Sequence, residues 1–366
     1  LLAERSAGAD TSSITKEAAE LLYGSTLYGS VTRLEQFARC PYAHFLLYGL
    51  GLREREQFRI GVADYGNVFH SAMEHFSHVL EENGRRWADL TEEEAEELAA
   101  QSVEYVVKDY KGDLFTQSKR TEFIKKRIQK ILQASVWGIW KQMKAGSFVQ
   151  HYNEKTFSAK DGLKSLNIPL KNGKRVILGG KIDRADLCEM DGKNLIKIMD
   201  YKSGSKELDL SLVYHGLQMQ LVTYMAAAME LQRKEDPDHA PVPAAMLYYR
   251  MDEPELAWKE EPDAARKERF LGALRCSGYV NDDMEILEQM DPSFIHESGK
   301  SAYFPAGFKK DGSFDRYSRI MSTAQFAALM KHTRKKIEEF GNQIYDGKTA
   351  ASPSVIQNET GCDYCA

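Results

Sequence analysis

The segment IMDYKSGS (198–205) closes an apolar run and sets a carboxylate, Asp200, two residues from an amine, Lys202. Side chains on a strand alternate between its faces, so these two share one. Burying both costs free energy unless a ligand or a reaction needs them. A second acid can reach the same place. Asp191-Gly192 lies between apolar runs, a strong short-range hairpin signal. If the chain turns there, Met190 pairs with Lys193, and seven steps back along both strands Asp183 stands opposite Asp200. Directly opposed residues have Cβ atoms about 4.5–5.5 Å apart, and like charges so placed repel. A divalent cation between them turns the repulsion into a chelate of hard oxygen ligands suited to Mg²⁺. Lys202 beside that ion could hold or deprotonate a water and offset charge building on a phosphate, which is metal-assisted hydrolysis. The same alternation sends Ile182, Met199 and Tyr201 to the other face. The plainer alternative is a surface hairpin with scattered charges, reached if the register slips by one residue.

These residues need elements to position them. The segments LKSLNIPL, RVILGGKIDRAD and NLIKIMDYK alternate with period two and are separated by KNGK and MDGK, which predicts an antiparallel meander over 163–202. HYNEKTF (151–157) predicts a strand before it and AAMLYYRM (244–251) one after it. Between them, 210–231 has helical spacing through Leu217, Leu221, Met225 and Ala228. Upstream, NVFHSAMEHFSHVLEE (67–82) is an amphipathic helix with Phe69, Met73, Phe76 and Leu80 on its apolar stripe. A helix from about residue 30 stops near Cys40-Pro41, further helices fill 91–145, and a long one spans 323–344 after polar loops. The chain thus divides into a weakly ordered lead-in (1–25), a helical part (26–147), a mixed core (148–255) and a C-terminal part (256–366). The fold class is α/β, with helical insertions.

The 366 residues are 43% hydrophobic and 28% charged, an ordinary balance for a soluble protein. A net charge of −5 does not advertise a nucleic-acid binder, so phosphates would need local positive fields. Two basic runs offer them: Lys119, Arg120, Lys125, Lys126 and Arg127 in one, Lys331, Arg334 and Lys335 in the other. No apolar run approaches the ~20 residues of a membrane span. The first residue is Leu1, as in a fragment of a longer protein. Five cysteines without a secretory signal fit a reducing cytoplasm, with Cys188 and Cys276 read as small buried thiols. Cys362-x-x-Cys365 has metal-ligand spacing, compatible with zinc, redox chemistry or an iron–sulfur cluster.

Taken together, GGKIDRAD (179–186), IMDYKSG (198–204) and GLQMQLVTY (216–224) resemble the PD-(D/E)XK nuclease core of the RecB-like family. The resemblance implies a restriction-endonuclease-like fold: a mixed central sheet with an antiparallel meander, flanked by helices. It assigns Asp183 and Asp200 as metal-binding acids, Lys202 as the catalytic lysine, and Gln220 and Tyr224 as a Q-x-x-x-Y pair on one helix face. YGNVFH (65–70) resembles the family's upstream helix, which makes His70 a metal ligand, and the backbone carbonyl of Tyr201 is implied as another. Glu154 weakly matches an acidic position on the first core strand, whereas His44 and His75 are read as structural. RCPYAHF (39–45) and GCDYC (361–365), with the wording of 27–55, further resemble the nuclease domain of the AddB family. There one cysteine before the core and three after it bind a [4Fe–4S] cluster. Cys40, Cys362 and Cys365 match three of the four, and the last would fall beyond Ala366. A structural zinc site is the alternative.

The resemblance therefore implies an exonuclease dependent on Mg²⁺ (or Mn²⁺) that acts on single-stranded DNA and resects double-strand breaks for repair. It implies as partners an AddA-like helicase–nuclease subunit and the rest of the parent chain, with no membrane. No G-x-x-x-x-G-K-[ST] phosphate loop occurs, so ATP hydrolysis would lie elsewhere. A Cas4-like iron–sulfur nuclease and a catalytically silent DNA- or partner-binding scaffold are the rival readings.

Overall fold

The Asp191-Gly192 turn forms where the spacing places it, with both residues left-handed at φ 47° and 71°, as a tight two-residue hairpin loop requires. The computed structural model that shows this describes residues 12–53, 62–108, 110, 115, 118–202, 204, 207–252, 254, 256–356, 359–363 and 365. Six strands make the main sheet: β1 Val149–Phe157, β2 Gly180–Met190, β3 Lys193–Lys202, β4 Ala240–Arg250, β5 Ser277–Asn281 and β6 Ile320–Met321. Sheet order follows chain order. β1, β2 and β3 are antiparallel, β3 and β4 parallel, β4 and β5 antiparallel, and β5 and β6 parallel. A parallel pair needs a crossover, and helices between β3 and β4 supply it.

The helices that matter for the site are α1 Val31–Arg39, α2 Val62–Glu82, α3 Glu92–Lys108, α4 Lys119–Ala145, α5 Gln220–Glu235 and α6 Thr323–Tyr345. They form two layers. One apolar core joins α2, α3 and α4 to Leu195, Met199, Tyr201, Leu247 and Tyr249. The other joins α1, α5 and α6 to Ile196, Ile198, Met246 and Tyr248. Strand alternation alone sorts these residues between the two faces. Among the described residues no helix is long and apolar enough to cross a membrane.

The predicted register holds from Met190↔Lys193 to Arg184↔Met199. One step further the ladder yields to a different bond: the Tyr201 N–H donates to Asp183 Oδ2 at 2.9 Å. Ile182 departs from expectation, packing with Ile198 and α5 rather than with Met199 and Tyr201. The cause lies on β1, where Glu154, between the pairs Asn153↔Arg184 and Lys155↔Ile182, has φ 48°. A left-handed non-glycine residue breaks the alternation, at about 1–3 kcal/mol of strain. Tyr152 and Phe157, five apart on β1, and Ile182 and Ala185, three apart on β2, accordingly share one core.

Other expectations are corrected. Of the lead-in, residues 1–11 lie outside the described residues, but Lys16–Tyr23 is a helix capped by Thr15, and Ile14 N–H donates to Gly347 O at 2.9 Å. Asn167–Pro169 and Arg175–Leu178 do not extend the meander; with Thr26–Gly29 they form a separate three-stranded sheet. The helix expected over 210–231 is two, Leu210–His215 and α5, broken at Gly216 (φ 82°), where a Cβ would come 2.4 Å from the Phe340 ring. The region after residue 256 holds helices Asp263–Ala273 and Met284–Met290 besides β5, β6 and α6.

Candidate active site

His70 stands on α2 beside the apolar stripe of Phe69, Met73 and Phe76, half-buried at its margin. That margin faces the irregular stretch of β1 and β2. His70 Nδ1 is 3.2 Å from Glu154 Oε1 and 3.5 Å from Asp183 Oδ2. Ligand atoms from these three residues lie within 4.8 Å of one another, the group of metal-ligating type found among the described residues. Two hard carboxylates and an imidazole suit a divalent cation such as Mg²⁺ or Mn²⁺. Lys181 Nζ, 2.6 Å from Glu154 Oε2, balances part of the charge. Glu154, a weak match in the sequence, is thus central to the site, because its left-handed backbone carries it into the acid group. Period-two patterning gives no warning of such a residue.

The electrostatics are those of a site built for a cation. Burial, then the Asp200 charge, push the Asp183 carboxyl up to about 7, against the opposing pull of His70. Burial draws His70 down, but the Glu154 hydrogen bond and the charges of Asp183, Glu154 and Asp200 lift it above the ordinary imidazole range.

Asp200 is buried next to this group and is held from the α5 side. Gln220 Nε2 donates to Asp200 Oδ1 at 3.0 Å and to the Tyr224 hydroxyl at 3.1 Å. Lys202 Nζ pairs with Asp200 Oδ2 and donates to Gln220 Oε1 at 3.3 Å. One amide therefore orients acid and amine at once, while Tyr224, four residues along the helix, fixes the amide. The start of α5 is itself anchored: Glu35 Oε1 on α1 accepts from the N–H groups of Met219 and Gln220 at 2.6 and 3.2 Å. No sequence motif marks Glu35 for this task. Replacing Gln220 with Met, which keeps volume and loses both polar ends, is expected to lower the rate of the metal-assisted hydrolysis that the sequence implies about 10–100-fold, as single-turnover rates would show.

The basic runs do not meet. α4 packs in the first core and α6 in the second, so they lie on opposite faces of the sheet. Lys119, Arg120, Lys126 and Arg127 are exposed on α4, and Lys125 pairs with Glu104 at 2.5 Å. On α6, Lys331 and Lys335 are exposed, whereas Arg334 donates to Lys164 O at 2.6 Å. His75 Nδ1 lies 3.0 Å from Ser102 Oγ, and His44 is buried and driven down to about 3 by burial and then by Arg33, both structural positions.

The two distant cysteine segments do come together. Ser354 N–H donates to Arg39 O at 2.8 Å, Tyr42 N–H to Ala350 O at 3.2 Å, and a Cβ on Gly361 would sit 2.5 Å from Arg39 O. Glycine at 361 permits that approach of the segment carrying Cys362 to the one carrying Cys40. Cys40 is buried, Cys362 half-buried and Cys365 exposed, all as free thiols, and the three sulfurs do not converge within 4.8 Å. Cys188 and Cys276 are buried, as read from the sequence.

A mixed sheet whose third strand ends in an acid and a lysine, facing a second acid across a hairpin, is the framework of a metal-dependent nuclease. The chain belongs to the PD-(D/E)XK nuclease superfamily, whose sequence pattern matches residues 29–366. Among curated proteins it is 36% identical over 361 residues to the B-type subunit of the ATP-dependent helicase/deoxyribonuclease of Lachnoclostridium phytofermentans. Proteins of the same name from Alkaliphilus metalliredigens and Thermoanaerobacter sp. are 33% identical over 354 residues and 34% over 345. These matches cover 94–96% of this chain, which spans about 30% of the length of each relative.

Proposed function

We propose that this chain is the exonuclease domain of an AddAB-type helicase–nuclease, hydrolysing phosphodiester bonds of single DNA strands during double-strand-break resection in the cytoplasm. The observation that carries this reading is the junction of two half-sites at one end of the sheet. His70, Glu154 and Asp183 form the acid group, and Asp200 and Lys202, locked by Gln220, lie against it. His70, Glu154, Asp183, Asp200 and the Tyr201 carbonyl are the groups that would hold Mg²⁺ or Mn²⁺. Bound there, such an ion supplies Lewis acidity to a phosphate oxygen and lowers the pKa of water. Lys202 places its amine where it orients the attacking water and meets the charge gathering on the phosphate. Gln220, itself held by Tyr224, gives that amine a second partner besides Asp200.

The relatives are named as one subunit of a helicase/deoxyribonuclease, which supports a second, AddA-like subunit as partner. Without a phosphate loop in these residues, ATP hydrolysis falls outside them. The test is degradation of an end-labelled single-stranded oligonucleotide by the chain, alone and with its helicase partner. Short products are expected with Mg²⁺ and none with EDTA; no metal-dependent cleavage in either setting would sink the proposal.

Cys40, Cys362 and Cys365, with one further cysteine of the parent chain, are proposed to hold a [4Fe–4S] cluster that staples residues 39–42 to 350–365. A clip across some 320 residues removes more chain entropy than one across a short loop. Anaerobically purified parent protein is expected to be brown, with iron and sulfide that are lost in Cys40→Ser. Colourless protein with stoichiometric zinc decides for the other metal.

A further inference from the structure

The helix that carries Gln220 begins with Gln220 itself. The N–H groups of a first helical turn have no partner inside the helix, and helix ends fray when nothing outside accepts from them. The usual remedy is a serine, threonine, aspartate or asparagine just before the helix. Here that position is Met219, fully buried, and its side chain accepts nothing. No acidic residue stands in the first turn of α5 either. The amide on which both Asp200 and Lys202 depend therefore sits at the point of α5 that its own sequence secures least.

Glu35 supplies what Met219 cannot. It lies on α1, 184 residues before Met219, next to the buried Leu34 and Phe37. Its Oε1 accepts from Met219 N–H at 2.6 Å and from Gln220 N–H at 3.2 Å. A carboxylate there also meets the positive end of the helix dipole. α1 does not drift, because the Phe37 ring packs on Phe340 of α6 at 5.7 Å between centroids and the Arg39 carbonyl accepts from Ser354 N–H at 2.8 Å. From Gln220 the bonds continue into the site: Nε2 donates to Asp200 Oδ1 at 3.0 Å, and Oε1 accepts from Lys202 Nζ at 3.3 Å. Hydrogen bonds thus join the Glu35 side chain to the acid and the amine through one residue.

We propose, resting on the nuclease reading of the site, that Glu35 is a positioning residue for cleavage. It acts through the first turn of α5 on the Gln220 amide, and through that amide on Asp200 and Lys202. A cap that served only the stability of α5 would leave the rate of fully folded protein unchanged. A cap that aims Gln220 alters that rate, and does so only while the amide is present. Groups that orient the residues around a metal typically contribute 10–100-fold to affinity or activity.

The test is a double-mutant cycle of Glu35→Met and Gln220→Met. Single-turnover cleavage of single-stranded DNA is measured at saturating Mg²⁺ and well below each variant's Tm. Hydrogen exchange at the start of α5 reads the cap independently of activity. Glu35→Met is expected to quicken that exchange and to slow cleavage about tenfold at unchanged KM for DNA. Glu35→Gln, which keeps an acceptor oxygen at the same reach, should recover most of the rate. In the Gln220→Met background Glu35→Met should cost little more, since coupled residues are non-additive. Equal losses in both backgrounds, or a wild-type rate in folded Glu35→Met, overturn the proposal. Should Glu35→Met fail to fold, Glu35→Asp, which keeps the charge and falls one methylene short, decides in the same way. Wild-type protein without metal-dependent cleavage overturns instead the nuclease reading beneath it.

Discussion

Lys202→Met is expected to cut single-turnover cleavage of single-stranded DNA by about a thousandfold, within the usual range for loss of a proton-handling group. The amine is held between Asp200 and Gln220, on the same strand end as Asp200. Methionine fills the space of the lysine stem and leaves no donor. Asp200, buried with 1% of its surface exposed, then loses its counter-charge, so a stability loss on the order of 1–3 kcal/mol should accompany the lost rate. The two effects separate experimentally. Rates are measured at 25 °C with saturating Mg²⁺, and folding is followed by calorimetry. Wild-type rates in the variant would remove Lys202 from the chemistry.

Asp183→Asn should move stability and activity in opposite directions. Asp183 has its carboxyl pushed up to about 7, against an ordinary value near 4 in the unfolded chain. The folded protein therefore binds the extra proton between those limits, and metal-free stability falls as pH rises from about 4 to 7. Below pH 4 both states are protonated and the penalty vanishes; above 7 it is complete. Asparagine cannot ionise, so the variant is expected to match wild type at pH 4 and to melt a few degrees higher at pH 8. A difference on the order of 1–2 kcal/mol is reasonable for a buried charge replaced by a neutral isostere. Cleavage should nonetheless drop by a hundredfold or more. In the wild type, metal binding must displace the same proton, so apparent affinity climbs with pH up to about 7 and levels off above it. A variant that melts with the wild type at pH 4 and below it at pH 8 would show that Asp183 is not held protonated.

The sequence carries the hairpin and its register because both are set locally. Asp191-Gly192 tolerates left-handed backbone, and that single turn fixes seven consecutive pairs as far as Arg184↔Met199. Gln220 and Tyr224 are legible for a similar reason, being four apart on a helix. The remainder depends on events at a distance. Glu154 enters the acid group through a backbone conformation that tertiary packing imposes, and the same kink moves Ile182 to the other core. Arg175–Leu178 has strand patterning but pairs with Thr26–Gly29, some 150 residues away. Gly216 interrupts a helical pattern that Leu217 and Leu221 otherwise continue. Glu35 and Lys181 are polar side chains whose partners lie on other elements, and composition does not name a partner.

One consequence concerns the order in which the polypeptide is made. The carbonyl of Arg39 receives its proton donor from Ser354, so the ribosome must add about 315 residues before that contact can close. At 5–20 residues per second this takes roughly 15–60 s. Until α5 and then α6 are made, Leu34 and Phe37 on α1 lack neighbours that cover them in the folded chain. Synthesis that stalls before α6 is complete is thus expected to leave an apolar face open and to release a species prone to aggregate.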